Sequence, residues 1–264
     1  MKRTRISCLL IGMALMRMMF VNDAHAQSIN VAVASNFTHP IKALIKAFEK
    51  QSDHNVRVSF GSSGKFYAQI KHGAPFQVFL SADQTKPLAL EKEGLVMAGS
   101  RFTYAIGRLA IWSSKENFID ERLIPLKNGH FNKLALANPK LAPYGVAAAQ
   151  VLDNLKLTNS TQSKWVQGEN IAQTYQFVST GNSDLGFVAL SQIIQHTKSQ
   201  NSANTTSIKQ GSAWVIPNHL HRPIRQDAVL LKRGKDNQTA YAFMQFLKNQ
   251  QAKEIINTFG YETL

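Results

Sequence analysis

The 264-residue sequence contains a single cysteine, Cys8. This cysteine lies in an amino-terminal segment with the features of a secretory signal peptide, so the exported chain is expected to lack thiols. Disulfide bonds, zinc–thiolate sites and cysteine nucleophiles are thereby excluded. The sequence also lacks the G-x-S-x-G turn of serine hydrolases and the G-x-x-x-x-G-K-[ST] loop of nucleotide hydrolases. These absences argue against an enzyme.

Residues 1–26 are predicted to be a signal peptide. Basic residues near the start precede an apolar stretch over 6–21, and Ala24-His25-Ala26 supplies an A-x-A cleavage site. The apolar stretch is shorter than the roughly 20 residues that a membrane-spanning helix needs, and Arg17 interrupts it. We therefore expect cleavage after Ala26 and export to the periplasm.

Acidic residues are scarce relative to basic ones. The chain has 16 Asp and Glu against 30 Lys and Arg, which gives a formal net charge of +14. The basic residues are scattered and do not alternate with aromatic residues on one face, so no nucleic-acid partner is expected. A field of this sign attracts small anions or maintains solubility.

Hydrophobic spacing predicts alternating strands and helices. Residues 29–35 form a continuous apolar run typical of a buried strand, and the apolar positions of 39–50 recur at helical spacing. Further strands are predicted at 56–60, 77–82, 134–138, 185–190 and 226–232, and further helices at 66–70, 86–93, 143–155, 170–178 and 236–249. The Gln-, Ser-, Asn- and Thr-rich stretch 197–208 is predicted to be a surface loop. This alternation indicates an α/β fold with ligands at the carboxyl ends of strands.

The chain is predicted to form two domains with a cleft between them. Residues 101–114 are too long for one ordinary strand and are expected to cross between the domains. A second crossing near 223–229 would return the chain to the first domain. The predicted organisation is a discontinuous first lobe, 27–106 plus 226–264, and a second lobe, 107–225.

Four polar turns are predicted where strands end and helices begin. They are Ser35-Asn36, Ser62-Ser63-Gly64, Pro143-Tyr144-Gly145 and Glu169-Asn170-Ile171. The first N–H groups of a helix lack intrahelical partners and carry partial positive charge, so several helix starts facing one point would bind an anion. Ordinary helix capping accounts for each turn taken singly, and spacing alone does not decide whether the turns converge.

The turns contain hydrogen-bond donors but no aspartate. Amides and hydroxyls can donate to a fully deprotonated tetrahedral oxyanion, whereas hydrogen phosphate also needs an acceptor for its proton. Glu169 is the nearest candidate acceptor, although a glutamate at a helix start more often serves as a capping or dipole residue. Lys65 could lend a positive charge, but we favour a solvated lysine one turn into a helix.

Seven stretches of the chain carry a resemblance to a known family. They are VAVASNF at 31–37, VSFGSSGK at 58–65, GAPFQVFLSADQ at 73–84, ALANPKLAPYG at 135–145, LGFVALSQ at 185–192, PIRQDAVLL at 223–231 and FGYE at 259–262. In their order and spacing they resemble the molybdate-binding proteins of ATP-driven uptake systems. The resemblance covers nearly the whole predicted mature chain. It implies a two-lobed periplasmic binding protein of type II, with two mixed sheets flanked by helices and the ligand in the interdomain cleft.

The resemblance also implies a set of site residues. Proteins of that family hold the oxyanion through hydroxyls and backbone amides, without a directly paired cation. The positions that match by motif are Ser35 and Ser63 as hydroxyl donors, Tyr144 and Ile171 as backbone donors, and Asn36 as the further donor of one branch. Another branch donates a tyrosine hydroxyl from near residue 189, where this chain has Ala189.

The implied function is capture of molybdate or tungstate outside the cytoplasm and delivery to the membrane permease of an ABC transporter. We expect no resident cofactor, no metal held directly by protein side chains, and a monomer. Two alternatives stay open. One is a binding protein for another oxyanion, sulfate or phosphate, and the other is an enzyme on the same two-lobed fold.

Overall fold

The computed structural model describes residues 28–197 and 205–264. The predicted signal peptide and residues 198–204 of the polar stretch lie outside these ranges. Within them, the chain forms two five-stranded sheets and one two-stranded hairpin. No helix in the described ranges is long and apolar enough to cross a bilayer.

The strands, in chain order, are β1 (Ser28–Ala34), β2 (Asn55–Gly61), β3 (Val78–Leu80), β4 (Phe102–Gly107), β5 (Leu109–Ser113), β6 (Leu134–Ala137), β7 (Trp165–Gly168), β8 (Leu185–Ala189), β9 (Ile194–Thr197), β10 (Thr205–Ile208), β11 (Ser212–Val215) and β12 (Ile224–Leu230). The helices are α1 (Thr38–Lys50), α2 (Ser63–Lys71), α3 (Thr85–Lys92), α4 (Ile124–Lys127), α5 (Pro143–Asn154), α6 (Thr158–Thr161), α7 (Ile171–Ser179), α8 (Leu190–Ile193), α9 (Gln238–Phe246) and α10 (Gln250–Thr258).

Sheet A has the strand order β2-β1-β3-β12-β4. β1 pairs in parallel with β2 and β3, whereas β12 pairs antiparallel with β3 and β4. Val31 and Val33 pack on one face with α1, and Ala32 packs on the opposite face with Phe66. Because both faces are covered, β1 is a continuous apolar run rather than an alternating one.

Sheet B has the order β11-β5-β8-β6-β7 and is mixed in the same way. β6 is parallel to β7 and β8, while β5 is antiparallel to β8 and β11. Leu109 and Ile111 contribute to one apolar cluster, and Ala110 and Trp112 to another on the other face. Each sheet with its helices forms one lobe, so the predicted two-lobed α/β fold is confirmed.

The described chain passes between the sheets in two segments. β4 ends at Gly107 in sheet A and β5 begins at Leu109 in sheet B, so the long stretch predicted over 101–114 is two strands separated by Arg108. The return runs from β11 in sheet B to β12 in sheet A. The lobe boundaries drawn at 106/107 and 225/226 stay a prediction.

The structure also differs from the sequence prediction elsewhere in the described ranges. The helix predicted over 236–249 ends at Phe246, and α10 follows with Asn249 as its cap, accepting from the Ala252 N–H at 2.8 Å. The prediction of a loop over 197–208 is wrong at its end, since β10 pairs antiparallel with β9. The short edge strands β7 and β11 have no clear sequence signal because their backbone pairing, rather than their side-chain pattern, defines them.

Removal of the buried Phe243 ring tests the packing around sheet A quantitatively. Phe243 is fully buried, and its ring lies edge-on 5.2 Å from that of Phe48. Phe243→Ala should lower the free energy of unfolding, measured in urea, by about 3–5 kcal/mol because it leaves a cavity. Phe60 is 39% exposed, so the matched variant Phe60→Ala should cost less than about 1 kcal/mol. Equal losses in the two variants would contradict this packing.

Candidate functional site

The four polar turns identified in the sequence lie around one cavity between the lobes. The first lobe contributes Ser35-Asn36 after β1 and Ser62-Ser63 after β2. The second lobe contributes Pro143-Tyr144 at the start of α5 and Asn170-Ile171 at the start of α7. The cavity is therefore lined by all five predicted site residues. None of its lining residues, all of which the structure describes, carries a charge.

Strand register explains why the turns of each lobe are neighbours. In sheet A the last residues of β1 and β2, Ala34 and Gly61, are paired, so the turns that follow lie side by side. In sheet B, Ala137 and Gly168 are paired at the ends of β6 and β7 in the same way. A Cβ atom at Gly145 would overlap the Ala137 carbonyl oxygen, so only glycine lets α5 start this close to β6.

Ser63 is oriented as a donor by the segment that follows β3. Its buried Oγ accepts a hydrogen bond from the Ala82 N–H at 2.9 Å. The hydroxyl proton of Ser63 is then left to donate into the cavity that this residue lines. Ser62 has a different role, because its Oγ caps α2 by accepting from the Lys65 N–H at 3.4 Å.

Backbone N–H groups at two helix starts supply donors from the second lobe. Asn170 caps α7, and its Oδ1 accepts from the N–H groups of Ala172 and Gln173 at 3.0 and 3.1 Å. Ile171 precedes both of these residues, and Tyr144 lies in the first turn of α5 after Pro143. N–H groups at these positions have no intrahelical acceptor, and the helix dipole adds partial positive charge.

The side chain of Asn36 is used inside the protein. Its Nδ2 donates to Gln226 Oε1 at 2.8 Å and to Tyr261 Oη at 3.0 Å, which occupies both amide hydrogens. Its backbone N–H, within the 3-10 turn Ser35–Phe37, is therefore the donor that Asn36 can offer to the cavity. Sequence reasoning did not identify Gln226 or Tyr261, although both lie in the stretches PIRQDAVLL and FGYE that carry the resemblance.

Three buried tyrosines hydrogen-bond to Asn36 or Gln226. Burial raises the pKa of Tyr104 and Tyr144 well above the ordinary value of 10, and raises the pKa of Tyr261 to about 12. These hydroxyls stay protonated at physiological pH. They therefore act as neutral hydrogen-bonding groups and add no charge to the site.

The cavity is small. The volume open to the centre of a water-sized sphere is about 10 Å³, which is about the room that one water molecule needs. A wider groove of about 280 Å³ runs beside it along Lys86, Val146 and Arg222, and shares Ala82 and Pro143 with it. The convergence of helix starts is found at the small cavity, which suits a compact ion rather than an extended solute.

The lobes contact each other directly at the mouth of the cavity. The Gly64 N–H donates to the Leu141 carbonyl at 2.9 Å, and Lys65 Nζ pairs with the Glu169 carboxylate at 2.9 Å. The side chains of this ion pair are 52% and 42% exposed, and neither residue lines the cavity. The Glu169 carboxylate, considered above as an acceptor for the ligand, therefore pairs with the Lys65 ammonium group instead.

Ala189 does not line the cavity. Its N–H donates to Gln192 Oε1 at 2.9 Å, and Gln192 Nε2 donates to the Ile171 carbonyl at 3.1 Å. Where another branch of the family has a tyrosine donor, this chain therefore has a buried alanine. Its N–H holds the Gln192 side chain, which in turn contacts the start of α7. In the described ranges, no group of three or more His, Cys, Asp or Glu residues is placed to hold a metal ion.

Two lobes that enclose an uncharged, donor-rich cavity define a two-lobed solute-binding protein. Comparison with known proteins gives the family. A model of the bacterial extracellular solute-binding proteins matches residues 29–262, and the chain belongs to this family.

Named relatives are similar over almost the full chain. The chain is 52% identical over 238 residues to the molybdate-binding protein ModA of Azotobacter vinelandii, which covers 90% of this chain and 91% of the relative. It is 43% identical over 240 residues to ModA of Rhodobacter capsulatus, with 91% and 90% covered. The solved structure of an Azotobacter vinelandii periplasmic molybdate-binding protein matches with a TM-score of 0.84 and 39% identity, covering 89% of this chain and 99% of that chain. The chain is a binding protein of this family and not an enzyme.

Neutralisation of Lys65 should change anion affinity only slightly. An exposed ion pair contributes about 0–1 kcal/mol, so Lys65→Gln should weaken the binding of molybdate, the oxyanion expected from the sequence, by less than about fivefold. Lys71→Gln is the matched control, because Lys71 lies on the same helix and pairs with Glu93 at 3.1 Å. Calorimetric titration measures both variants. A loss above about a hundredfold for Lys65→Gln alone would mean that Lys65 contacts the anion.

Proposed function

We propose that this protein captures molybdate outside the cytoplasm and delivers it to the permease of an ABC transporter. The observation that carries the proposal is the meeting of four helix starts, two from each lobe, at one uncharged cavity. N–H groups and hydroxyls at helix starts can hold an anion without a paired cation. The choice of molybdate is supported by relatives at 52% and 43% identity that are named as molybdate-binding proteins.

The proposed ligand class includes tungstate, which is also a tetrahedral dianion. A ring of N–H and hydroxyl donors distinguishes ions by charge, protonation and the spacing of their oxygen atoms. Hydrogen phosphate would need an acceptor, and the Oγ atoms of Ser62 and Ser63 already accept from Lys65 and Ala82. Sulfate is the second candidate, because the small cavity volume of about 10 Å³ favours the smaller ion.

Ligand binding is proposed to select the arrangement in which the lobes meet. An ion held by Ser35 and Ser63 on one side and by Tyr144 and Ile171 on the other bridges the lobes. It therefore favours the state in which Gly64 contacts Leu141. A permease that binds this state would distinguish loaded from empty protein. We further propose that the chain is exported by cleavage after Ala26 and acts as a monomer.

Titration with four oxyanions tests the proposed function. The ligand-stripped protein should bind molybdate and tungstate tightly with one-to-one stoichiometry, and sulfate and phosphate much more weakly, because the relatives at 52% and 43% identity are named as molybdate-binding proteins. Isothermal titration calorimetry in one non-coordinating buffer measures all four. A response to sulfate with none to molybdate would move the function to sulfate. Silence toward all four anions would contradict the proposal.

Removal of two hydroxyl donors tests the site. Hydrogen bonds to charged groups contribute about 1.5–3 kcal/mol each, so Ser35→Ala combined with Ser63→Ala should weaken molybdate binding at least about a hundredfold. Ser113→Ala is the control, because the buried Ser113 hydroxyl donates to the Asp184 carbonyl at 2.6 Å away from the cavity. Circular dichroism should show all variants folded. Unchanged affinity in the folded double variant would remove both serines from the site.

A further inference from the structure

A fully buried glutamine joins cavity residues of the two lobes. Gln226 lies on β12, and its Oε1 accepts from Asn36 Nδ2 at 2.8 Å and from Tyr104 Oη at 3.1 Å. Its Nε2 donates to Tyr144 Oη at 3.4 Å. Asn36 belongs to the first cavity turn of the first lobe, and Tyr144 to the helix start of the second lobe. One side-chain amide thus contacts a cavity residue from each lobe.

Asn36 is also held by Tyr261 and Ser191. Its carbonyl accepts from Tyr261 Oη at 2.8 Å and from Ser191 Oγ at 3.0 Å. Tyr261 lies in the carboxy-terminal segment, and Ser191 lies on α8 of the second lobe. The 3-10 turn that carries the Asn36 N–H is therefore fixed from both lobes. The side-chain amide of Asn36 donates one hydrogen to Gln226 and the other to Tyr261.

The backbone around Gln226 is shaped for this contact. The pairing of β12 with β4 shifts register between Gln226 and Asp227, and such irregularities redirect side chains. A Cβ atom at Gly107, the last residue of β4, would overlap Tyr144 Oη and lie 2.5 Å from Gln226 Nε2. Glycine at 107 thus makes room for the Tyr144–Gln226 contact beside the first crossing between the lobes.

We propose that Gln226 is a positioning residue for oxyanion capture. It holds Asn36 and the Tyr144 side chain in the arrangement in which the N–H groups of both residues face one ligand. The contact with Tyr144 forms only when α5 approaches the first lobe, so it favours the lobe arrangement that the ligand also favours. Gln226 itself does not line the cavity. This inference rests on the proposed function, because it concerns the same site.

A matched pair of tyrosine variants separates this role from a structural one. Tyr144 and Tyr104 are both buried, both have a raised pKa and both contact Gln226. Tyr144 reaches it from the second lobe, whereas Tyr104 lies on β4, the strand next to β12 in sheet A. Tyr144→Phe keeps the Tyr144 N–H and removes only the hydroxyl. Tyr104→Phe removes a hydroxyl that does not bridge the lobes.

Titration of these variants with molybdate should give unequal results. One hydrogen bond accounts for up to about tenfold in binding, so Tyr144→Phe should weaken affinity about tenfold and speed dissociation, whereas Tyr104→Phe should stay within about threefold. The loss in the Gln226→Met, Tyr144→Phe double variant should be smaller than the sum of the two single losses, because both changes remove the Gln226–Tyr144 contact. The Tyr144 and Tyr104 variants decide the question even where Gln226→Met does not fold.

Two results would overturn the inference. Equal molybdate affinities in Tyr144→Phe and Tyr104→Phe, with the unmodified protein still binding tightly, would make Gln226 a structural residue and leave the proposed function intact. Failure of the unmodified protein to bind any of the four oxyanions would overturn the proposed function and this inference together.

Discussion

Unpaired backbone N–H groups at the starts of four helices are the constraint on which the rest of the structure depends. Buried N–H groups require partners, and those at helix starts cannot find them within the helix. In this protein the caps Ser62 and Asn170 accept from N–H groups that follow them, and the Gly64 N–H donates to the Leu141 carbonyl. Tyr144 and Ile171, at the starts of two other helices, line the cavity. A bound anion would complete the hydrogen bonding of the donors that line the cavity, and it would have to contact both lobes to do so.

The sheets place these helix starts. Parallel pairs β1–β2 and β6–β7 end in register, so two turns emerge side by side from each lobe. The antiparallel strands β12 and β5 carry the chain between the sheets and orient the two pairs of turns toward each other. The lobes then meet through Gly64 and Leu141 at the mouth. Few residues are needed at the site itself, because strand register does most of the positioning.

The sequence predicts the local parts of this site well. Apolar periodicity locates β1, α1 and α7, and polar turns mark the helix starts, because both signals depend on residues close in sequence. It does not predict that Asn36 Nδ2 bonds to Gln226, 190 residues away, nor that Lys65 and Glu169 pair across the mouth. Those contacts depend on how two lobes pack. The missed helix α10 and the missed edge strands show the same limit, since neighbours elsewhere in the chain define them.

Neutrality of the site has a physical consequence for selectivity. Lys65 and Glu169 compensate each other at the mouth, the cavity lining carries no charge, and the three buried tyrosines remain protonated because burial raises their pKa. A site with a lysine or arginine against the ligand would attract any anion strongly through its charge. A site of fixed dipoles gains only from donors that meet oxygen atoms, so geometry and protonation state carry the discrimination. The basic surface can then raise the encounter rate of anions generally, while the neutral cavity determines which of them stays.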